Sequence, residues 1–258
     1  MDTISIGKHN SRLADIRKAV QRGTLTADGL LPVEGPKLVL EAHASGITIA
    51  ALFVRDDVST EGLPPASTLY TLEPGAFKGI QSTEHSQGVM ALVKPRFWKM
   101  EELLGNVFGP IVVLAGLQDP GNVGTILRVS ESFGAAGCIG LPGTARVSNP
   151  KVVRASAGSV FRLPHIWDVD WETFVAALRV RGIPLLGTSP AGADSIVSWN
   201  WRRPAAVLIG NEGAGLSTAQ TEACDALLRI PHEPRTESLN SAVAAAVILY
   251  EAYRRRLS

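Results

Sequence analysis

One run of the chain, from Val207 to Ser217, begins as an apolar triplet and then loses almost all its side chains. Val207-Leu208-Ile209 predicts a short buried strand. Beyond it, Gly210-Asn211-Glu212-Gly213-Ala214-Gly215 predicts a loop whose glycines allow positive φ and close approach of backbone to a ligand. Glu212 is then a lone carboxylate in a loop that can present peptide N–H and C=O groups to a small molecule. A glycine-rich turn with its glutamate facing water is the plainer reading, and the loop alone does not decide between the two.

Two further stretches carry the same mixture of bare backbone and isolated polar groups. Leu117-Gln118-Asp119-Pro120-Gly121-Asn122-Val123-Gly124-Thr125-Ile126-Leu127-Arg128 passes from a strand end through Asp-Pro-Gly into a helix. The free N–H groups of a helix start favour an anion, and Asn122 can cap that start. Arg128 lies almost two turns further in. Its guanidinium can clamp a phosphate or carboxylate, or simply pair with Glu131 at i,i+3. The last stretch, Ile230-Pro231-His232-Glu233-Pro234-Arg235-Thr236-Glu237-Ser238-Leu239-Asn240, leads into an alanine-rich helix. Ser238 and Asn240 read as caps or as site groups. Upstream, Thr188 and Ser189 follow Leu185-Leu186-Gly187 at a similar strand exit, where hydroxyls can line the same pocket or only shape a turn. His165 and His232 have no nucleophile beside them and read as surface or loop histidines.

The elements that must position these groups alternate between helix and strand. The first part predicts a helix from Asn10 or Ser11, with Ser11 as N-cap, to about Gly23. Strands follow over 29–35, 47–54, 68–72 and 88–93, with a helix opening at Pro36 and a helical turn over 77–80. This is a compact α/β module ending near Lys94, followed by a connector over 95–110 containing some helix. The second part alternates more cleanly. Strands are expected over 111–115, 136–141, 183–187, 207–209 and 227–230, and helices over 123–133, 149–158, 171–181 and 241–256. The run Ile111-Val112-Val113-Leu114-Ala115 is typical of a strand buried on both faces of a parallel sheet. Ligands bind such sheets in the loops at the strand C-termini.

Composition sets the remaining bounds. The 258 residues, 45% hydrophobic and 19% charged, describe an ordinary globular chain of one or two domains. A net charge of +1 gives no global pull toward nucleic acid, so any such binding must come from local clusters. The Arg254-Arg255-Arg256 run and Arg146, Lys151 and Arg154 are the candidates for phosphate contacts. Cys138 and Cys224 lie far apart without metal-ligand spacing, so no metal site is expected and a reduced cytoplasmic setting is. No apolar run reaches the length of a membrane span, and no signal-peptide core is read at the N-terminus.

Together, and in this order and spacing, Asn-x-Gly-x-x-x-Arg (Asn122 to Arg128), Ile-Gly-Asn-Glu-Gly-x-Gly-Leu-Ser (Ile209 to Ser217) and Ile-Pro…Ser-Leu-Asn-x-x-x-Ala (Ile230 to Ala244) resemble the SpoU (TrmH) family of RNA ribose 2′-O-methyltransferases. The resemblance covers about 111–256. The N-terminal part is similar to the ribosomal-protein-like α/β module often fused ahead of that domain, through Leu31-Pro32-Val33-Glu34-Gly35 and Glu84-His85-Ser86-Gln87-Gly88-Val89. Two departures stand out. Asn240 is followed by Ser-Ala-Val-Ala where family members often have Val-Ser-Val-Ala, and Glu233 and Glu237 add acid to a loop that is often neutral.

The resemblance implies an α/β fold in which a C-terminal SPOUT domain, a mostly parallel sheet flanked by helices and ending in a trefoil knot, follows a smaller N-terminal α/β substrate-binding domain. It divides the chain into an RNA-binding domain over 1–94, a linker over 95–109 and a methyltransferase domain over 110–258. It implies S-adenosylmethionine as cofactor, an RNA substrate (ribosomal more than transfer) and a homodimer, with neither membrane nor metal. Family catalytic positions fall on Asn122, Arg128, Glu212, Ser238 and Asn240, and cofactor contacts on Thr188, Gly210, Ile230 and Leu239. In that scheme Arg128 clamps phosphate and stabilises the alkoxide, while Glu212 holds Arg128 or orients the nucleotide. The competing reading is a non-catalytic RNA-binding protein that keeps the fold. A dinucleotide enzyme is disfavoured, because the first strand of the second part leads into Gln-Asp-Pro-Gly-Asn-Val-Gly instead of G-x-G-x-x-G.

Overall fold

The computed structural model describes residues 3–105, 107–233 and 235–257. In chain order the elements are β1 (Thr3–Ser5), α1 (Ser11–Arg22), β2 (Leu31–Glu34), α2 (Pro36–Ala44), β3 (Ile49–Arg55), β4 (Thr68–Leu72), α3 (Pro74–Lys78), β5 (Val89–Val93) and α4 (Met100–Gly105). There follow β6 (Ile111–Leu114), α5 (Pro120–Ser132), β7 (Gly137–Gly140), α6 (Pro150–Ala155), a 3-10 turn at Ser159–Phe161, β8 (His165–Trp167) and α7 (Trp171–Arg181). The chain ends with β9 (Leu185–Thr188), β10 (Asp194–Ser195), β11 (Ala206–Ile209), α8 (Thr218–Ala223), β12 (Ala226–Arg229) and α9 (Ser241–Leu257).

These elements form two compact units, Met1–Arg96 with Arg146–Arg162, and Phe97–Ala145 with Leu163–Ser258. In the first, a five-stranded sheet runs β1-β4-β3-β5-β2, with β5 antiparallel to both its neighbours. Leu13 and Ile16 of α1 pack into its core beside Phe53, Phe77 and Ile80. Their spacing gives α1 its single buried stripe. The helix is capped by Asn10, not Ser11, because the Asn10 side chain accepts the Arg12 N–H. Gly23, at φ +62°, ends it in the left-handed region, where a Cβ would be strained.

A simple division at residues 94 and 110 misses one excursion. The stretch Arg146–Arg162 belongs to the first unit, and Phe97 to Gly105 to the second. The physical reason lies in α6, which buries Val152 and Val153 and packs against β2. Polar ties reinforce it. Arg154 Nη1 donates to Ser82 Oγ at 2.6 Å, and Ser82 in turn donates its N–H and hydroxyl to the buried Glu34 carboxylate. Thr83 gives Glu34 a further hydrogen bond at 2.8 Å.

The second unit carries a seven-stranded sheet in the order β10-β12-β9-β11-β6-β7-β8, every pairing parallel. Its central strands β6 and β11 are buried throughout, as the apolar runs predict. Ile111, Val113, Leu208 and the fully buried Phe174 and Leu178 of α7 share one core. Cys138 sits inside β7 and Cys224 is half-buried at the end of α8; both are free thiols. Strand β8 was not expected. It forms because Gly140 leaves room for Trp167, whose ring a Cβ there would meet at 2.6 Å, while Trp167 Nε1 donates to the Ala145 carbonyl. His165 of β8 is accordingly no loop histidine. It packs between Trp98 and Trp167, and burial lowers its pKa to about 4 against the upward pull of the Leu163 carbonyl. Because all seven strands run the same way, the C-termini of β6, β9, β11 and β12 share one edge.

Candidate active site at the carboxyl edge of the second sheet

At that edge β11 breaks into the glycine loop. Asn211 and Gly215 exchange backbone hydrogen bonds of 3.0 Å, closing the loop on itself. A Cβ on Gly210 would lie 2.7 Å from the Gly215 carbonyl carbon, so this glycine serves the loop's own closure as well as the space beyond it. Asn211 is the clasp. Its Oδ1 accepts the N–H groups of Gly213 and Ala214, and its Nδ2 donates to the Gly116 carbonyl at 2.7 Å. The effect is to hold Glu212 against the start of α5.

There the cap is Asp119, which accepts the Asn122 N–H at 2.9 Å. Asn122 is the third residue of the helix and not its cap, which leaves its side-chain amide free. Asn122 Nδ2 donates to Glu212 Oε1 at 3.3 Å, and Asn240 Nδ2 donates to Asn122 Oδ1 at 3.1 Å. Asn240 Oδ1 then accepts the N–H groups of Ala242 and Val243, capping α9. Donors and acceptors alternate along this chain, so each amide has one orientation that satisfies both its neighbours. Glu212 also accepts the N–H groups of Gln118 and Asp119 at 3.3 and 3.4 Å. Partial burial pushes its carboxyl pKa up; hydrogen bonds from backbone N–H groups and Asn122 outweigh that and hold it below the ordinary value.

Beside this chain lies a cleft of about 470 Å³, walled by the ends of β9, β11 and β12 and the start of α9. That size suits a small-molecule ligand. Thr188, Gly210, Ile230 and Leu239 all line it, together with Glu212, Ser238 and Asn240. Thr188 also donates its hydroxyl to the Leu208 carbonyl at 2.9 Å, tying β9 to β11, so that proton is already committed. Sequence reasoning missed Leu228, Asn211, His232, Ser241 and Ala244 on the walls. His232 is an exposed loop residue, as read, yet borders the cleft. Its position directly after Ile230-Pro231, just past a strand end, was the available signal.

Arg128 stands apart from this cluster. It is six residues beyond Asn122, about 9 Å along α5, and is exposed. The hydrogen bonds of Glu212 go to Gln118, Asp119 and Asn122, all nearer the start of α5. The C-terminal arginines are the opposite case. Arg254 and Arg255 both bond Glu251, Arg255 also reaches the Val197 carbonyl, and Arg256 donates to the carbonyls of Phe108, Phe133 and Gly134. Arg154, bonded to Ser82, is likewise engaged inside its own unit. These donors already serve contacts within the protein.

Comparison with known proteins agrees with this geometry. The chain is 29% identical over 242 residues to the 23S rRNA (guanosine(2553)-2′-O)-methyltransferase RlmP of Bacillus subtilis, covering 93% of this chain and 95% of that one. It is 32% identical over 183 residues to the 23S rRNA (guanosine-2′-O-)-methyltransferase RlmB of Ralstonia nicotianae, covering 69% and 74%. The crystal structure of the SpoU methyltransferase AviRb from Streptomyces viridochromogenes, in complex with the cofactor AdoMet, superposes with a TM-score of 0.85 at 29% identity, over 97% of this chain and 99% of that one. Residues 109–250, which include every side chain of the cluster and its cleft, match the SpoU rRNA Methylase family, and to that family this chain belongs.

Proposed function

We propose that this protein transfers a methyl group from S-adenosylmethionine to a ribose 2′-hydroxyl of ribosomal RNA. The observation that carries the reading is convergence: segments near residues 122, 212 and 240, far apart in sequence, join through one hydrogen-bond chain at the lip of one cleft. The residues present fit the cofactor. Leu228, Ile230 and Leu239 offer apolar walls to a purine, the glycine loop offers backbone groups, and Ser241 offers an unpartnered hydroxyl. Family membership and relatives named as 23S rRNA 2′-O-methyltransferases support the substrate.

When bound, the donor supplies an activated methyl on a sulfonium, whose transfer leaves a thioether and releases one proton to water. The chain's own residues then orient and stabilise. The Glu212–Asn122–Asn240 relay keeps the starts of α5 and α9 in fixed register, and Ser238 hydrogen-bonds the nucleotide. Arg128 acts electrostatically and not as a proton acceptor, because a guanidinium offers donors only. It serves as phosphate clamp and stabiliser of the developing alkoxide.

The remaining features are part of the same reading. The first unit binds the RNA, and the second carries a trefoil knot, a topology for which family likeness is the support because true knots are nearly absent elsewhere. A homodimer is supported by the apolar stripe Val243, Val247 and Tyr250 on α9, half or more than a third exposed at each position. Tyr250 continues into Phe133 of α5 at 5.7 Å between ring centroids. Among the described residues no helix is long and apolar enough to cross a membrane.

The test incubates the protein with labelled S-adenosylmethionine and unmodified 23S rRNA. Label recovered on a ribose 2′-oxygen is the expected result; RNA binding without label would make the protein a non-catalytic relative. Arg128→Ala is expected to abolish label while leaving donor binding intact, and near-normal transfer by that variant would remove Arg128 from the site.

A further inference from the structure

Ser241 opens α9 and borders the cleft. It is 9% exposed, and among the described residues its hydroxyl has no hydrogen-bond partner. Among the described residues its backbone N–H has none either. The Asn240 side chain takes the next two N–H groups of the helix, and the Asn240 carbonyl takes that of Ala244. Ser130 also has an unpartnered hydroxyl, but it lies within α5 and is not among the residues that wall the cleft.

A hydroxyl shielded from water without a partner is unfavourable, and the imbalance is relieved when a ligand supplies the acceptor. At Ser241 two unused donors meet the positive end of a 17-residue helix, an arrangement that favours an anionic oxygen. Glu212 is the one carboxylate among the residues lining the cleft, and it is already bonded by Gln118, Asp119 and Asn122. The anion must therefore arrive with the ligand. The donor named above carries one, at the end of its amino-acid tail.

The geometry points to Ser241 as the seat of that tail: its Oγ–H and N–H hold the α-carboxylate of the methyl donor at the start of α9. This rests on the methyl-donor reading and adds a specificity-determining residue to it. The hydroxyl belongs to this chain's own Asn240-Ser241 pair.

The test is calorimetric titration of the full chain and its Ser241→Ala variant with two ligands. S-adenosylhomocysteine keeps the amino-acid tail, and 5′-methylthioadenosine lacks it. The expected result is that the variant binds S-adenosylhomocysteine about ten-fold more weakly and 5′-methylthioadenosine as before. The thermal midpoint of the unliganded variant should not fall, because the hydroxyl removed had no partner to lose. Unchanged affinity for S-adenosylhomocysteine, or equal weakening of both ligands together with a lower midpoint, overturns the assignment. If the unmodified chain binds neither ligand, the donor reading itself falls, and this assignment with it.

Discussion

Helix α9 begins at the cleft and α5 beside it, and each gives an asparagine to the hydrogen-bond chain, yet the two asparagines do different work. On α5 the capping is done by Asp119, so Asn122 in the first turn keeps its whole amide for the relay. On α9 the asparagine is itself the cap, with its oxygen held by Ala242 and Val243 and only its Nδ2 left to reach Asn122. A displacement of three positions from the cap thus separates a side chain wholly free for the relay from one half committed to its own helix. It also explains why Ser241, next after the cap, is left with unused donors.

The contrast can be broken most severely at Glu212, where both helix starts are referenced. Glu212→Ala removes the acceptor of Gln118, Asp119 and Asn122 at once, and methyl transfer to 23S rRNA should fall on the order of 100-fold through misplacement. Initial rates at saturating donor would show it, and a loss under a few-fold would mean the relay does not matter. Next come the asparagines. Asn122→Ala and Asn240→Asp should each lower transfer roughly ten-fold, with urea midpoints near that of the unmodified chain. The aspartate keeps the cap but offers Asn122 a second lone pair where a donor stood. Asn240→Ala, by contrast, should also lose about 1 kcal/mol of stability with the cap. Equal stabilities for Asn240→Ala and Asn122→Ala would erase the distinction between the two helices.

A smaller effect on catalysis is expected at the other end of the pair. Arg256 on α9 donates to Phe133 and Gly134 at the end of α5, so Arg256→Ala should lower unfolding stability by about 1–2 kcal/mol. Transfer at a permissive temperature should stay within about two-fold, and a large loss of RNA affinity would restore Arg256 as a phosphate contact. Least of all should mild acid matter. Glu212 has its folded pKa below the ordinary 4.5, so its charge and the order it supports persist above that value and are lost only as pH falls below it. Transfer measured between about pH 7 and 5 should show no limb from this group; a Glu212-dependent fall there would mean the hydrogen bonds to its carboxylate are not formed.

The comparison also shows where sequence reasoning reaches and where it stops. Strands β6 and β11 were legible because two-face burial demands continuous apolar residues, and the helix over Trp171–Arg181 because its cap, Asp170, and its terminating Gly182 stand at both ends. Caps were less legible. Asn10 stands beside Ser11, and Asp119 three residues before Asn122, so several capable residues compete and backbone geometry chooses among them. Strand β8 is three residues with a histidine and a tryptophan, too short for a period. Helix α8 buries no residue, although its Ser217–Gln220 capping box was there to be read. The return of Arg146–Arg162 to the first unit depends on Ser82 and Glu34, contacts that no local pattern encodes. Of the site, Gly210, Ile230 and Leu239 came from family resemblance, and Glu212, Ser238 and Asn240 also drew notice by residue type; all six line the cleft. The bareness of Ser241 was not legible, because it follows from what Asn240 is already doing.

The two free thiols supply this protein with its own clock for unfolding. Burial holds the Cys138 sulfhydryl far above the range where it ionises, and that of Cys224 at about 11, so an alkylating reagent finds almost no thiolate in the native fold. Cys138 lies in the sheet interior and can be modified only when strand β7 opens, whereas half-buried Cys224, at the end of α8, should react after far smaller excursions. Labelling rates at the two sulfurs, read separately by mass, would time global and local opening of the second unit without any introduced probe.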